Sequence, residues 1–319
     1  MQKIFFGVGD FVSKLGYNDY WFHYCFDKDP QDIKKAIKEH YISSQGLKIH
    51  LDIYDDENNS NKGNVIFLHG TSVYSRFYAE FLYNLFKIGY RVIAPDMIGH
   101  GLSEGIRGHF TMDKFEKIVY DVNSYVIEKY GDKSFLMGSS LGGINTLYSA
   151  AYDNRFKGAI CHNAAIFSEK AYKKIINLSG ILNLLIRLVP FAAKIAPRLK
   201  LSTTLYLDFD TLAKTERVLE GINFLLDDPL ISLRYTLKAL KTQMRDPLPI
   251  PIEEIKVPIM FINGTEDNLF SIDYITELYD RLTCENKSLE ILDGASHLIF
   301  QENIKEALNR IIPWLEKLN

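Results

Sequence analysis

Ser140 has the glycine spacing that a catalytic serine requires. Gly138 lies two residues before it and Gly142 two residues after it, which gives the pattern Gly-x-Ser-x-Gly. In a sharp turn from a strand into a helix these two positions must be small, because the bend brings their backbones close together. The adjacent Ser139 has bulky residues at the same offsets. The spacing therefore predicts Ser140 as a nucleophile.

His297 is the histidine best placed to act as the base for this serine. A serine hydroxyl is a poor nucleophile at neutral pH and needs a neighbouring imidazole to take its proton. His297 follows the last predicted strand, so we expect it at the same edge of the sheet as Ser140. His69 and His100 also follow strands, but they precede the serine in the chain. We predict a structural role for His69.

Asp267 is predicted to supply the carboxylate that orients this imidazole. It follows the predicted strand 257–263 and so reaches the same edge of the sheet. Glu266 is adjacent, but neighbouring side chains on an extended loop point apart. The order Ser140, Asp267, His297 along the chain predicts a Ser-His-Asp triad.

Two backbone N–H groups are expected to form an oxyanion hole, which stabilises the charge that develops on an attacked carbonyl oxygen. One is the N–H of Leu141, directly after the nucleophile. The other belongs to the loop after an early strand. We predict Thr71 for it, with Ser72 as the alternative.

Apolar strand patterns alternate with helical patterns on both sides of Ser140. A hairpin is predicted over 40–54, and further strands over 64–68, 91–95, 134–137, 157–162, 257–263 and 288–292. This alternation predicts an α/β fold with a mostly parallel central sheet and helices on both faces. Ligands bind at the carboxyl edge of such a sheet, where the candidate residues meet.

Strand patterns stop at about residue 167, and only helical patterns and loops follow up to residue 246. We therefore predict a core of residues 39–166 and 247–319, with a helical lid over 167–246 inserted above the carboxyl edge of the sheet. The apolar residues of this lid favour a substrate with an apolar acyl group. Residues 1–38 are rich in aromatic side chains. Two interpretations of them stay open, a segment packed on the core and a surface for membrane contact.

Bulk properties narrow the classes of function. The net charge of −3 and the pI of about 6.3 give no electrostatic basis for nucleic-acid binding. Three distant cysteines favour a reducing compartment. With no recognisable secretory signal or spanning segment, we expect a cytoplasmic protein, peripheral at the membrane if the aromatic segment contacts lipid. No metal-ligand spacing occurs, so we expect no metal.

Five short motifs are spaced along residues 40–317. They are His69–Thr71, Asp96–Ser103 with Gly105, Gly138–Gly143, Gly264–Asp267 and Gly294–His297. Together they resemble the α/β-hydrolase superfamily, and the segment Asp96–Gly108 most resembles its monoacylglycerol lipase and lysophospholipase branch. The resemblance implies hydrolysis of carboxylic esters without a metal or organic cofactor. It implies the same triad and oxyanion donors.

Several functions stay open at this point. An acyltransferase, a thioesterase or a peptidase would use the same triad, and a binding module would keep the fold without the reaction. Residues 167–246 do not match a lid of known specificity, so glyceride, phospholipid and simple ester substrates all stay open. The expected partner is a small-molecule or lipid ester. The oligomeric state is not determined.

Overall fold

The computed structural model of the chain describes residues 17–56, 61–169 and 180–318. The predicted aromatic residues before Tyr17 and the predicted lid residues 170–179 lie outside this part of the chain. In the helix Gly180–Ile195, the side chains are described from Arg187 onwards.

The described part of the chain is built on one large sheet. The strands in chain order are β1 (Ile37–Ser44), β2 (Leu47–Tyr54), β3 (Asn64–Leu68), β4 (Arg91–Pro95), β5 (Ser134–Ser139), β6 (Gly158–His162), β7 (Lys200–Ser202), β8 (Arg234–Thr236), β9 (Ile259–Gly264) and β10 (Ser288–Leu292). Eight of them pair in the order β1-β2-β4-β3-β5-β6-β9-β10. β2 runs antiparallel to β1 and to β4, and the other pairs of this sheet are parallel. The predicted mostly parallel sheet is confirmed.

Helices cover both faces of this sheet. The helices of the described residues are Pro30–Ala36, Ala79–Ile88, Met112–Tyr130, Leu141–Tyr152, Gly180–Ile195, Glu216–Asn223, Leu237–Arg245, Ile272–Arg281, Ile299–Glu302 and Ile304–Lys317. Alternate residues of β3 belong to different apolar clusters. Val65 and Phe67 pack in one, and Ile66 and Leu68 in the other. Because side chains of a strand alternate between faces, the sheet separates two cores, as the continuous apolar pattern of β3 predicts.

The register of the parallel strands aligns their carboxyl ends. Leu68 pairs with Gly138, and Ser139 pairs with His162. At the other side of the sheet Leu292 pairs with Gly264. The loops after β3, β5, β6, β9 and β10 therefore leave the sheet at one edge, which brings the predicted site residues close together.

The prediction that residues 167–246 hold only helices and loops is wrong. β7 and β8 form a short antiparallel pair in which Ser202 lies opposite Arg234. Each strand has three residues, which is too short for a period of two to be recognised in the sequence. The division of the chain into a core and a lid stays a prediction.

The described aromatic residues of the N-terminal segment pack inward. Trp21 and Tyr24 are only 1% and 2% exposed, and they belong to the same apolar cluster as Phe67. β1 begins at Ile37, inside the segment that was predicted to precede the core. These aromatic side chains therefore do not form an exposed surface, and the packed interpretation of the whole segment 1–38 stays a prediction.

Two sequence expectations concern the environment of the protein. None of the described helices combines the length and the apolar character that crossing a bilayer requires. Cys25, Cys161 and Cys284 are all unpaired. The cytoplasmic location stays a prediction.

Glu116 makes the stability of the fold depend on pH. It lies on the helix Met112–Tyr130 and is 8% exposed. Burial, together with repulsion from Asp113 and Asp246, raises the pKa of Glu116 from its ordinary 4.5 to about 8. Between these two values the native state holds a proton that the unfolded chain has lost. The free energy of unfolding therefore falls as the pH rises through this window.

We expect Glu116→Gln to have a higher free energy of unfolding than the wild type, and the difference should be larger at pH 9 than at pH 5. The reason is that glutamine has no proton to lose as the pH rises. Urea unfolding followed by circular dichroism at both pH values measures this difference. Glu128→Gln, at an exposed position on the same helix, is the matched control. Parallel stability curves for wild type and Glu116→Gln between these pH values would contradict the assignment.

Candidate active site

The turn between β5 and the helix Leu141–Tyr152 holds Ser140 in a backbone conformation that few residues adopt. Its φ is 57° and its ψ is −119°, as expected for a nucleophile held in a strained strand-to-helix turn. The Ser140 N–H donates to the carbonyl oxygen of His162 at 2.9 Å, which ties the turn to the neighbouring strand. The side chain is half-buried and lines a cavity.

The glycines around Ser140 are required by close backbone contacts. A Cβ on Gly138 would lie 2.2 Å from the carbonyl oxygen of Gly142, and one on Gly142 would lie 2.0 Å from that of Leu68. A Cβ on Gly143 would meet the His162 carbonyl oxygen at 2.1 Å. The helix can therefore begin this close to the sheet only without side chains at these positions. The Gly-x-Ser-x-Gly motif that identified Ser140 therefore reflects the close packing of the backbone at this turn.

His297 and Asp267 are paired at the same edge of the sheet. His297 Nδ1 lies 2.9 Å from Asp267 Oδ2, and an ionised carboxylate only accepts hydrogen bonds, so Nδ1 is the donor. The other ring nitrogen, Nε2, is then the one that can accept a proton. His297 lines the same cavity as Ser140. The structure brings the predicted nucleophile, base and acid together, and their roles in catalysis stay predictions.

Asp267 is held as a carboxylate by its surroundings. Its Oδ1 accepts hydrogen bonds from the N–H groups of Leu269 and Phe270 at 2.8 and 3.0 Å. Burial alone would raise the pKa of Asp267, but the adjacent His297 imidazole and these N–H donors hold it well below its usual range. Glu266 instead lies at the surface, with its carboxylate 2.6 Å from Lys214 Nζ. The choice of Asp267 over Glu266 therefore agrees with the geometry.

Asn163 is a site residue that the sequence analysis missed. It directly follows β6, has a φ of 66°, and donates from Nδ2 to Asp267 Oδ2 at 2.9 Å. The same carboxylate oxygen accepts from His297. A second acceptor for the amide is Asn263 Oδ1. Its position directly after a strand at the carboxyl edge is the signal that could have identified it.

The two predicted oxyanion donors lie beside the serine. Leu141 is the first residue of its helix, and Thr71 lines the cavity. Within the described residues, neither backbone N–H donates to a protein acceptor, so both are available to a substrate oxygen. Ser72 is excluded as the alternative donor, because its N–H donates to the Tyr235 hydroxyl at 2.7 Å.

Two buried rings support the loop that carries Thr71. His69 Nε2 accepts a hydrogen bond from the Met97 N–H at 3.0 Å, in agreement with its predicted structural role. The Tyr78 hydroxyl lies so close to Gly70 that a Cβ on that glycine would be 2.8 Å from it. Burial raises the pKa of Tyr78 to about 12, which keeps the hydroxyl protonated at neutral pH. Tyr78 also lines the cavity, a role that no sequence pattern indicated.

His162 joins Asp267 and His297 in a cluster in which one nitrogen or oxygen atom from each residue lies within 4.8 Å of those from the other two. Three such ligands could hold a metal ion. Hydrogen bonds already occupy much of the cluster, however. Asp267 accepts four of them, and His162 Nδ1 lies 2.8 Å from the Ser139 hydroxyl. Burial lowers the pKa of His162 to about 3, so its ring is neutral. We describe the cluster as a hydrogen-bond network around the acid.

The cavity beside Ser140 and His297 is bounded largely by apolar side chains. It has about 380 Å³ of empty volume, including its opening to solvent. Five residues of the segment 167–246, which we call the inserted segment after its predicted position, contribute to its wall, namely Leu207, Phe209, Leu212, Ile222 and Leu225. The cavity therefore offers an apolar group a binding surface next to the serine.

Comparison with known proteins agrees with this geometry. The model of the family described as serine aminopeptidase, S33, matches residues 59–304. A monoglyceride lipase from Homo sapiens is 25% identical over 89% of this chain and 90% of its own length. The phospholipase YtpA from Bacillus subtilis is 25% identical over 76% of this chain and 90% of its own. A soluble variant of monoglyceride lipase from Saccharomyces cerevisiae, solved with a substrate analog, shares the fold. It has a TM-score of 0.72 and 20% identity, and the match covers 89% of this chain and 96% of that one.

Asn163→Leu should lower kcat/KM for an ester substrate by about tenfold to a hundredfold, the usual loss when a hydrogen bond to a charged group is removed. The physical reason is that Asp267 Oδ2 keeps only His297 as a donor. Steady-state kinetics over a range of pH measures the loss. Because the lost hydrogen bond raises the pKa of Asp267, the acidic limb of the plot of kcat against pH should also move to higher pH.

Asn123→Leu is the matched control for this variant. Asn123 also donates from a buried amide to a carboxylate at 2.9 Å, that of Asp153, away from the cavity. Its replacement should lower the free energy of unfolding and leave kcat/KM unchanged. Equal kinetic losses in both variants would show that Asn163 acts through stability alone.

Proposed function

The chain belongs to the α/β-hydrolase family described as serine aminopeptidase, S33, and from this premise we propose that it hydrolyses carboxylic esters with an apolar acyl group. The observation that carries the proposal is an apolar cavity that contains both Ser140 and His297, with His297 hydrogen-bonded to Asp267. Serine, base and acid provide the chemistry, and the wall provides the preference for an apolar acyl chain.

In the proposed reaction, His297 Nε2 takes the proton of the Ser140 hydroxyl as Oγ attacks the ester carbonyl carbon. The N–H groups of Thr71 and Leu141 stabilise the resulting oxyanion. The C–O bond to the alcohol then breaks, and the alcohol leaves with the proton from His297. Water attacks the acyl-enzyme with the same base, which releases the acid and restores the serine.

Monoacylglycerols and lysophospholipids are the substrates we propose first. Relatives that cover most of this chain are named monoglyceride lipase and phospholipase, and the apolar wall suits their acyl chains. The family description instead names an aminopeptidase, which makes a peptidase the second candidate. A free amino terminus would need an acidic partner, and the described residues that line the cavity include no carboxylate. The lining of the cavity therefore favours an ester over a peptide as the substrate.

We also propose that the protein contacts the membrane through the helix Gly180–Ile195, rather than through the aromatic residues near the N-terminus. Leu188, Phe191 and Ile195 are between 55% and 72% exposed and follow the spacing of one helix face. Arg187 and Lys194 are exposed beside them. An apolar face flanked by cations suits the surface of a bilayer that contains anionic phospholipid.

A fluorophosphonate probe should label the wild-type protein and Ser139→Ala but not Ser140→Ala. The probe reacts with an activated serine. Ser140 combines the strained turn with a position on the cavity that His297 also lines, whereas the Ser139 hydroxyl is buried against the neutral His162 ring. Gel fluorescence after labelling measures the result. Labelling of Ser140→Ala as strong as that of the wild type would contradict the proposed nucleophile.

Phe191→Glu should reduce flotation of the protein with vesicles that contain phosphatidylserine. The substitution places a negative charge on the apolar face that we expect to enter the headgroup region. Leu226→Glu is the matched control, since Leu226 is 64% exposed but lies away from this helix along the chain. If both variants float like the wild type, this helix is not the contact surface.

A further inference from the structure

The segment Tyr20–Asp27, which we call the N-terminal strap, is anchored on the core. The N–H groups of Phe26 and Asp27 donate to the two carboxylate oxygens of Glu80 at 2.6 and 2.9 Å. Glu80 is buried on the helix Ala79–Ile88. The strap precedes the region that the family model matches, which begins at residue 59.

The other side of the strap contacts the inserted segment. The His23 ring stacks on Phe224 with 3.7 Å between the ring centroids. The Tyr24 hydroxyl donates to the buried Asp228 carboxylate at 2.8 Å. Arg217 Nη1 donates to the Phe26 carbonyl oxygen at 3.1 Å. One stacking contact, these two hydrogen bonds and an ion pair between Arg217 and Asp27 therefore join the strap to residues 217–228.

Gly221 is a point of close approach between the helix and the strap. It lies on the helix Glu216–Asn223, and a Cβ there would be 2.9 Å from the Phe26 ring and 3.0 Å from the His23 carbonyl oxygen. These distances are shorter than ordinary carbon contacts, so the helix and the strap can pack this closely only because residue 221 is glycine.

The same short stretch forms part of the cavity wall. Ile222 and Leu225 line the cavity beside Ser140, whereas Gly221 and Phe224, their neighbours in the chain, contact the strap. The strap also reaches the wall from the core side, because Tyr24 packs edge to face on Phe77, which lines the cavity. One layer of side chains therefore separates the strap from the cavity.

We propose that the N-terminal strap positions the Gly221–Leu225 wall and thereby determines the length of acyl chain that the cavity accepts. The inference rests on the proposed ester hydrolysis and deepens it. The strap residues touch no reacting atom, so they are positioning residues. They act on the far end of the acyl chain and not on the ester carbonyl.

Gly221→Ala tests this proposal with the full-length protein. The new methyl group would meet the Phe26 ring and the His23 carbonyl oxygen. Because Glu80 fixes the backbone of the strap, we expect the helix to shift towards the cavity. We expect kcat/KM for p-nitrophenyl dodecanoate to fall about tenfold, the loss expected when roughly two methylene groups are no longer buried. The value for p-nitrophenyl acetate should stay unchanged, because its acyl group is too short to reach this wall. Alanine favours a helix more than glycine does, so the helix itself is not weakened.

Two further variants complete the experiment. Glu220→Ala, at an exposed position on the same helix, should behave like the wild type with both esters. Phe26→Ala combined with Gly221→Ala removes the ring that the methyl group meets, and it should restore most of the activity towards the dodecanoate. Restoration shows that the strap, and not the methyl group alone, moves the wall.

The outcomes separate the two proposals. A wild-type protein that is inactive on both esters contradicts the proposed function. If the wild type is active and Gly221→Ala has the same kcat/KM values as Glu220→Ala for both esters, the proposed role of the strap is wrong. The same conclusion follows if Gly221→Ala loses as much kcat/KM with the acetate as with the dodecanoate. It also follows if the double variant is no more active than Gly221→Ala.

Discussion

The site depends on how closely the helix Leu141–Tyr152 approaches the sheet. The backbone of Ser140 has a positive φ, which is costly for a residue with a side chain. The backbone contacts around Gly138 and Gly142 leave no room for a Cβ, so they hold the turn in place. The hydroxyl is thereby presented to the cavity, and the N–H of Leu141 has no protein acceptor among the described residues. A looser turn would lose both features at once.

The aligned ends of the parallel strands supply the rest of the site. Four loops at this edge each contribute one residue to the site. These residues are Thr71 after β3, Asn163 after β6, Asp267 after β9 and His297 after β10. Asp267 accepts hydrogen bonds from two of the other loop residues, Asn163 and His297, on one oxygen. The acid is therefore oriented by its neighbours on two strands as well as by its own loop. Such a network keeps the imidazole in one tautomer.

The inserted segment contributes five apolar residues to the wall of the cavity. It packs on the core through buried polar contacts. Ser72 donates to the Tyr235 hydroxyl, and Tyr24 and Tyr74 both donate to Asp228. Because buried polar groups are costly to leave unpaired, these contacts fix how the segment sits over the cavity. This part of the cavity wall is therefore held in place by residues far from Ser140 along the chain.

Much of the fold was predictable because its signals are local. The alternation of apolar strands and helical patterns indicated the sheet, and the spacing of Gly138, Ser140 and Gly142 indicated the turn. The chain order then predicted which aspartate and which histidine would join the serine. The predicted bounds of the strands were less accurate. β1 begins at Ile37 rather than near residue 40, and the three-residue strands β7 and β8 were missed.

The sequence by itself determined the fold class and the chemical type of the candidate site, since both follow from residue types at fixed short spacings. Only the tertiary structure decided that Asn163 contacts Asp267 and that the Ser72 N–H is taken by Tyr235. It alone decided that Gly221 faces Phe26. Each of these contacts joins residues more than a hundred positions apart in the chain. No local pattern records such a pairing, because it depends on how separate elements pack in space.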